Sequence, residues 1–231
     1  MSSILAIFIK QTQDTLKNMG VLVQFIVFPV MAFIMTRFVD VGVGDMSDAF
    51  FIIIFASMFI GMTLISSSAV AIAEDREKKS LRFLMMAGVK SHHYLMGVGG
   101  VFLVFALVVG SAFVVMMGEI SFIERLIMLT SMMLGAIASI LFGGIIGMIT
   151  KNEQSAVSLS TAAGMIMGFG PMIGMFNENI EKIFSIFYTS NFIYADFSTE
   201  GIIGHMIVIL GNILVLALLF GWVYKKRGLR T

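Results

Sequence analysis

Six apolar runs separated by short polar segments set the pattern of the chain, at about residues 21–38, 49–73, 94–117, 126–150, 156–176 and 202–223. Each is close to the ~20 residues that a helix needs to cross about 30 Å of hydrocarbon. Backbone amides in lipid must bond within their own segment, so runs of this length are expected to be helices. The pattern predicts an all-α polytopic membrane protein, with residues 1–231 forming a single transmembrane domain of six spans.

Three segments break the apolar pattern. Residues 1–19 place Leu5, Phe8, Ile9, Thr12, Leu16 and Met19 on one helical face and Lys10, Gln13, Asp14 and Lys17 opposite, which predicts an interfacial helix lying along the membrane. Polar residues interrupt the apolar run after Ile9 and no small-residue cleavage site follows, so a signal peptide is not expected. Residues 74–90, between spans two and three, form the one dense charge cluster. There Leu81, Leu84, Met85 and Val89 recur at helical spacing, and Glu74–Lys78 and Asp75–Lys79 are acid-before-base pairs that each support a helix by about 0.2–0.5 kcal/mol. Gly88 supplies a stop. This helix reads either as a solvated connector or as a docking element for a soluble partner. In residues 177–201, Ile180, Ile183, Phe184, Phe187 and Tyr188 share one helical face, which predicts an amphipathic helix lying on, or dipping into, the outer surface. It is either an inert cap or an external gate.

Composition confirms the class: 58% of residues are hydrophobic and 13% charged, half the charged fraction of a soluble domain, and the mean hydropathy is +1.00. Charge is sorted by side. Twelve of the 15 Lys and Arg fall in residues 1–20, 74–93, 150–155 and the C-terminal tail, while only Arg37, Arg125 and Lys182 fall in the opposite segments. By the positive-inside rule both termini and the charged helix are cytoplasmic. There is no cysteine, so thiolate metal sites and nucleophiles are excluded. His92-His93 offers no third ligand nearby, and no metal site is expected. The span cores carry no Asp, Glu, Lys or Arg, and His205 is their only ionisable side chain, which disfavours coupling to a driving ion. No Gly-x-x-x-x-Gly-Lys-Ser/Thr loop occurs, so energy from nucleotide hydrolysis must enter through another polypeptide. The chain is not expected to be an enzyme by itself and has no catalytic residues.

Small residues mark close helix packing: Gly143-x-x-x-Gly147 in span four, and Gly164-x-x-x-Gly168 and Gly170-x-x-x-Gly174 in span five. They fit either internal packing or a seam between two subunits. Gly170-Pro171 is a candidate hinge in span five.

The topology, the interfacial helix and the run Ala73-Glu74-Asp75-Arg76-Glu77-Lys78-Lys79-Ser80-Leu81-Arg82-Phe83-Leu84-Met85-Met86 resemble the ABC-2 type permeases, the membrane subunits of ABC exporters. In that family the loop is commonly acid-rich, then Gly-Thr/Ser-Leu-Glu-x-Leu-Leu, then a proline step. Here Lys79 stands where Gly is usual, Arg82 where Glu is usual, and Gly88-Val89 replaces the proline. The resemblance implies that residues 74–90 hold a coupling helix that docks on a separate ATP-binding subunit, with Glu74, Glu77, Ser80, Leu81 and Leu84 at the contact, and helical spacing adds Met85 to that face. It implies that ATP and Mg²⁺ are bound by that partner and no cofactor by this chain. It also implies a plasma-membrane location, and a pathway formed by two permease subunits, identical or not, with external helices after span five closing the exit.

The function expected is the permease subunit of an exporter of a drug, peptide or lipid-like substrate. A non-transporting scaffold or immunity-type sensor is the alternative, and a stand-alone carrier lacks the midplane charge it would need. Besides the ATP-binding subunit and membrane lipid, no nucleic acid is an expected partner. If the pathway lies at a subunit seam, Ser57, Thr63, Ser158 and Thr161 in spans two and five are its candidate polar lining.

Overall fold

A computed structural model describes residues 3–39, 49–118, 120–195, 197–198 and 201–227. The turn expected at residues 40–48, with Gly42 and Gly44, and the turn residue Glu119 lie outside the described residues. Among those described there is no strand. Among the described residues six helices are long and apolar enough to cross a membrane, and an even number of spans brings the first helix and the end of the last span to one face of the bundle, called here the terminal face.

Helix α1 (Ser3–Lys17) leads through Asn18 into α2 (Met19–Phe38), the first span. Asn18 Oδ1 accepts from the Val21 amide at 3.2 Å and caps α2. The second span is three pieces in one rod: α3 (Ala49–Met58), a π-helical turn (Phe59–Leu64) and α4 (Ile65–Glu77). Helix α5 (Ser80–Met86) is the short element that follows. The third span is α6 (Ser91–Met116), the fourth α7 (Phe122–Ile149), opened by a Ser121–Glu124 capping box, and the fifth α8 (Glu153–Gly174), capped by Asn152. Two short helices, α9 (Glu178–Phe184) and α10 (Tyr188–Ile193), precede the last span, α11 (Ile202–Arg227).

The fourth span is central, packed on α4, α6 and α11, and glycines decide how closely. A Cβ on Gly143 would stand 2.1 Å from Ser68 Oγ and 2.2 Å from the Ile65 carbonyl, and one on Gly147 2.5 Å from the Ala69 carbonyl. Only the absence of a side chain lets the backbones of spans two and four touch. Span five uses Gly164 and Gly168 in the same way against Met62 in the π-helical turn, and Gly170 against the Phe184 ring. The small-residue faces are therefore consumed inside the chain, the first of the two uses that the sequence left open. Gly170-Pro171, the candidate hinge, lies inside α8 with Gly170 buried under α9, and the Pro171 carbonyl accepts from the Tyr194 hydroxyl at 2.6 Å.

The amphipathic segment before the last span is two helices rather than one. The break falls at residues 185–187, where Asn191 reaches back from α10 to donate to the Ser185 and Phe187 carbonyls, its Oδ1 lying 3.1 Å from His205 Nδ1. Helix α9 stays at the surface with no buried residue, whereas every residue of α10 is buried. Helix α10 dips among spans two, four, five and six. The Tyr188 hydroxyl lies 2.9 Å from Ser139 Oγ, which lies 2.7 Å from the Ile60 carbonyl. A carbonyl can only accept, so Ser139 donates to Ile60 and Tyr188 to Ser139. This chain ties the dipping helix to the π-helical turn in the middle of span two. By contrast α2 and α11 bury little of their surface and turn rows of large apolar side chains outward.

Candidate functional site

At the terminal face the end of span two meets α5 in a sharp elbow. The rod stops at Lys78, and Lys79 takes a left-handed φ of +60°. That conformation costs an ordinary residue roughly 1–2 kcal/mol and glycine little, which gives a physical reason for the glycine usual at this place in the family that the sequence resembles. Lys79→Gly is accordingly expected to raise stability by about 1 kcal/mol, read as a higher thermal midpoint in detergent, with the fold unchanged. The exit of α5 is a Schellman turn: Gly88, at φ +80°, bonds its amide to the Met85 carbonyl at 3.0 Å, and Val89 bonds to Leu84 at 3.0 Å.

Within the elbow the apolar stripe folds back onto the bundle. Leu81 is 1% exposed, and Leu84, Met85 and Val89 pack half-buried against the same core. The sequence reading put Leu81 on a docking face; the turn at Lys78–Lys79 changes the helical phase and sends it inward instead. What α5 presents outward is Phe83, 66% exposed, Met86, 61% exposed, and Arg82.

Beneath this surface three consecutive residues of span two tie it to different neighbours. Asp75, 2% exposed, accepts from Lys10 of α1, from the Tyr94 hydroxyl of α6 at 2.8 Å, and lies 2.8 Å from Ser80 Oγ in α5. Arg76 is buried and donates through one Nη to the Thr150 and Gly147 carbonyls at the end of α7, where a cation complements the helix dipole. Glu77 accepts from the Glu153 amide at the start of α8 at 2.9 Å, the matching site for an anion. Alternate phases around one helical turn aim these three side chains at three different spans.

The Asp75–Lys79 pair read from the sequence is thus replaced by Asp75–Lys10, because the elbow carries Lys79 away and α1 brings Lys10 in. The Glu74–Lys78 pair is present, on the exposed side. Lys10 also lies 3.2 Å from Asp14. Burial lowers the Lys10 pKa, but the hydrogen bonds and charges of Asp75 and Asp14 outweigh it and raise the value above the usual 10.5. A raised lysine contributes its stability below the unfolded value, and that stability is lost only as pH climbs through the raised one. The tie therefore holds throughout the neutral range.

Helix α1 lies on span three through Ile7, Gln11 and Thr15, seated where Gly97 leaves no side chain. Leu5, Ile9 and Leu16 of the apolar face read from the sequence point outward, while Phe8 of the same face rests beside Gly100 of span three.

The four lining candidates separate. Ser57 and Thr63 are fully buried inside the chain, donating to the Thr189 carbonyl at 3.4 Å and the Gln24 carbonyl at 3.2 Å. Within this chain they are internal ties rather than surface groups. Ser158 and Thr161 are exposed on the outer side of α8. The sequence reading passed over Asn212 in the middle of α11, whose amide donates to the Ile186 and Val208 carbonyls at 2.9 Å each; a lone amide in an apolar span was its signal. His92 and His93 stack edge-on at 4.3 Å, and among the described residues no three candidate ligands gather at a metal site.

A six-span bundle whose second span ends in an exposed elbow has a match among known families. The model of the ABC-2 family transporter proteins matches residues 9–224, nearly the whole chain and all six spans. No curated protein matches the sequence. With the family model running from the N-terminal helix to the end of the last span, the chain belongs to the ABC-2 family transporter proteins, as a multi-pass membrane permease of an ABC transporter.

Proposed function

We propose that this chain is the permease subunit of an ATP-driven exporter that moves a drug, peptide or lipid-like substrate out of the cell, with its terminal face in the cytoplasm. A separate ATP-binding subunit hydrolyses ATP and docks on the outward surface of α5. The observation that carries this reading is the elbow itself: exposed Phe83 and Met86 stand on a helix anchored to the bundle by Asp75, Arg76 and Glu77. A solvated connector needs neither exposed apolar side chains nor three ties at its root.

Movement of α5 is delivered through those ties to α1, α6, α7 and α8 together. Spans two and five then shift at the π-helical turn, where Gly61 and Gly168 bring the two backbones into contact. A wide turn of this kind is a local departure from regular helix that favours such a shift. A second permease subunit, identical or not, packs against the outer face of α8, and Ser158 and Thr161 are the polar groups that this face brings to the pathway. Helices α9 and α10 close its outer end.

Single cysteines test the orientation without removing any native one. An impermeant thiol reagent added to intact cells is expected to modify Lys182→Cys and spare Lys78→Cys. Purification in mild detergent is expected to retain an ATP-binding subunit in equal amount. Labelling of Lys78→Cys from outside, or a chain that transports with no ATP-binding subunit present, would overturn the proposal.

A further inference from the structure

Between spans five and six lies a cleft of about 570 Å³, within the ~300–1,000 Å³ that small-molecule sites occupy. Met167 of α8 and Gly211 and Val215 of α11 form its sides, Phe142 of α7 its floor, and Phe187 and Tyr188, entering α10, its roof. These residues sit in the middle stretches of their spans, and α11 turns most of its surface outward, so the cleft opens sideways to the bilayer.

The chemistry of the wall selects the occupant. Its side-chain donors are committed to the protein: Asn212 donates both amide protons to backbone carbonyls, and the Tyr188 hydroxyl is bonded to Ser139. Water needs two to four polar partners in a cavity and finds an apolar wall here. A cleft of this volume holds little more than one turn of a helix ~10 Å across, so a span of a second copy does not seat in it. Left empty, it would forfeit the contacts that a close-packed interior makes. We infer that the cleft is a specific binding site for one hydrocarbon chain of a membrane lipid, which enters sideways between spans five and six and supports the linker into α10. The chain completes the packing that Gly211 leaves open, while Asn212 holds the same linker by its backbone. This site requires only that the bundle stand in a bilayer, and it holds whatever the exported cargo is.

Gly211 makes the site testable, because it lines the cleft and a Cβ there meets nothing within 4 Å, so a larger side chain is expected to occupy the cleft. Gly204, equally open on the same helix, is outside the cleft and serves as the control. The purified full chain is placed in phosphatidylcholine vesicles in which a fraction of the lipid carries a photoreactive diazirine in mid-chain, and the labelled residues are mapped by peptide mass spectrometry. Labelling is expected to concentrate on Phe142, Met167 and Phe187. Gly211→Phe should bring it down to the level of the outward face of α2, and Gly204→Phe should leave it unchanged. Val215→Trp blocks the same cleft from a half-exposed position and decides the matter if Gly211→Phe does not fold. Labelling spread evenly over α2 and α11, or labelling of Phe142 and Met167 that survives the blocking variant, would overturn the site.

Discussion

Asp75→Ala is expected to release α1 from the bundle and to cost about 2–3 kcal/mol of stability. The carboxylate is 2% exposed and holds Lys10, Ser80 and Tyr94 at once. Its removal leaves the fully buried Tyr94 hydroxyl without that acceptor, and a buried donor left unsatisfied costs about 1–3 kcal/mol. The loss on the Lys10 side is smaller, since the ammonium is 47% exposed and keeps Asp14. Lys10→Ala leaves the buried carboxylate with only the Ser80 and Tyr94 hydroxyls and no counter-ion, so its cost should be of the same order. Hydrogen exchange provides the check: in Asp75→Ala the amides of residues 3–17 should lose protection while the middle of α7 keeps it. Protection of α1 that survives the substitution would show that Ile7 and the Gly97 seat hold the helix without the carboxylate.

The second large effect separates the outward and the inward apolar side chains of α5. Phe83→Asp with Met86→Asp places charge on the outward surface of α5 and leaves the core intact. If that surface enters a cleft on the ATP-binding subunit, truncation of one such anchor commonly costs ~2 kcal/mol or more of association, about a 30-fold loss. The variant should fold, reach the membrane at normal abundance, and fail to retain its ATP-binding subunit. Leu81→Asp should behave differently. Its side chain is 1% exposed, and a carboxylate there is an unpaired charge inside the bundle, so the protein itself should be lost. A parallel measurement of membrane abundance and of retained partner distinguishes the two, and equal loss of abundance in both would place Phe83 and Met86 in the core as well.

How far the chain could be read beforehand follows from the range of each signal. The spans were legible because lipid demands long apolar helices, and run length is a local property. The elbow was legible as a charge cluster with a glycine stop. Its internal geometry was not, because periodicity assumes one uninterrupted phase and Lys79 resets it. Nothing near Asp75 in the chain marks Lys10 as its partner. Likewise Gly143 and Gly147 announce a close approach, but not whether the approaching helix belongs to the same chain. Helix α10 was the least legible element. Nothing in the polar run Thr189, Ser190 and Asn191 announces its burial, which goes with the bonds of Tyr188 to Ser139 and of Asn191 to His205.

Coupling through α5 is most directly tested by a single crosslink. The chain has no cysteine, so Phe83→Cys carries a photoreactive maleimide at one site, and the assembled transporter is irradiated in its membrane and digested for mass spectrometry. The account predicts one crosslinked polypeptide, carrying a Gly-x-x-x-x-Gly-Lys-Ser/Thr nucleotide-binding loop, with a yield that changes when ATP is added. A crosslink from Lys182→Cys on the opposite face to that same polypeptide, with none from Phe83→Cys, would contradict it.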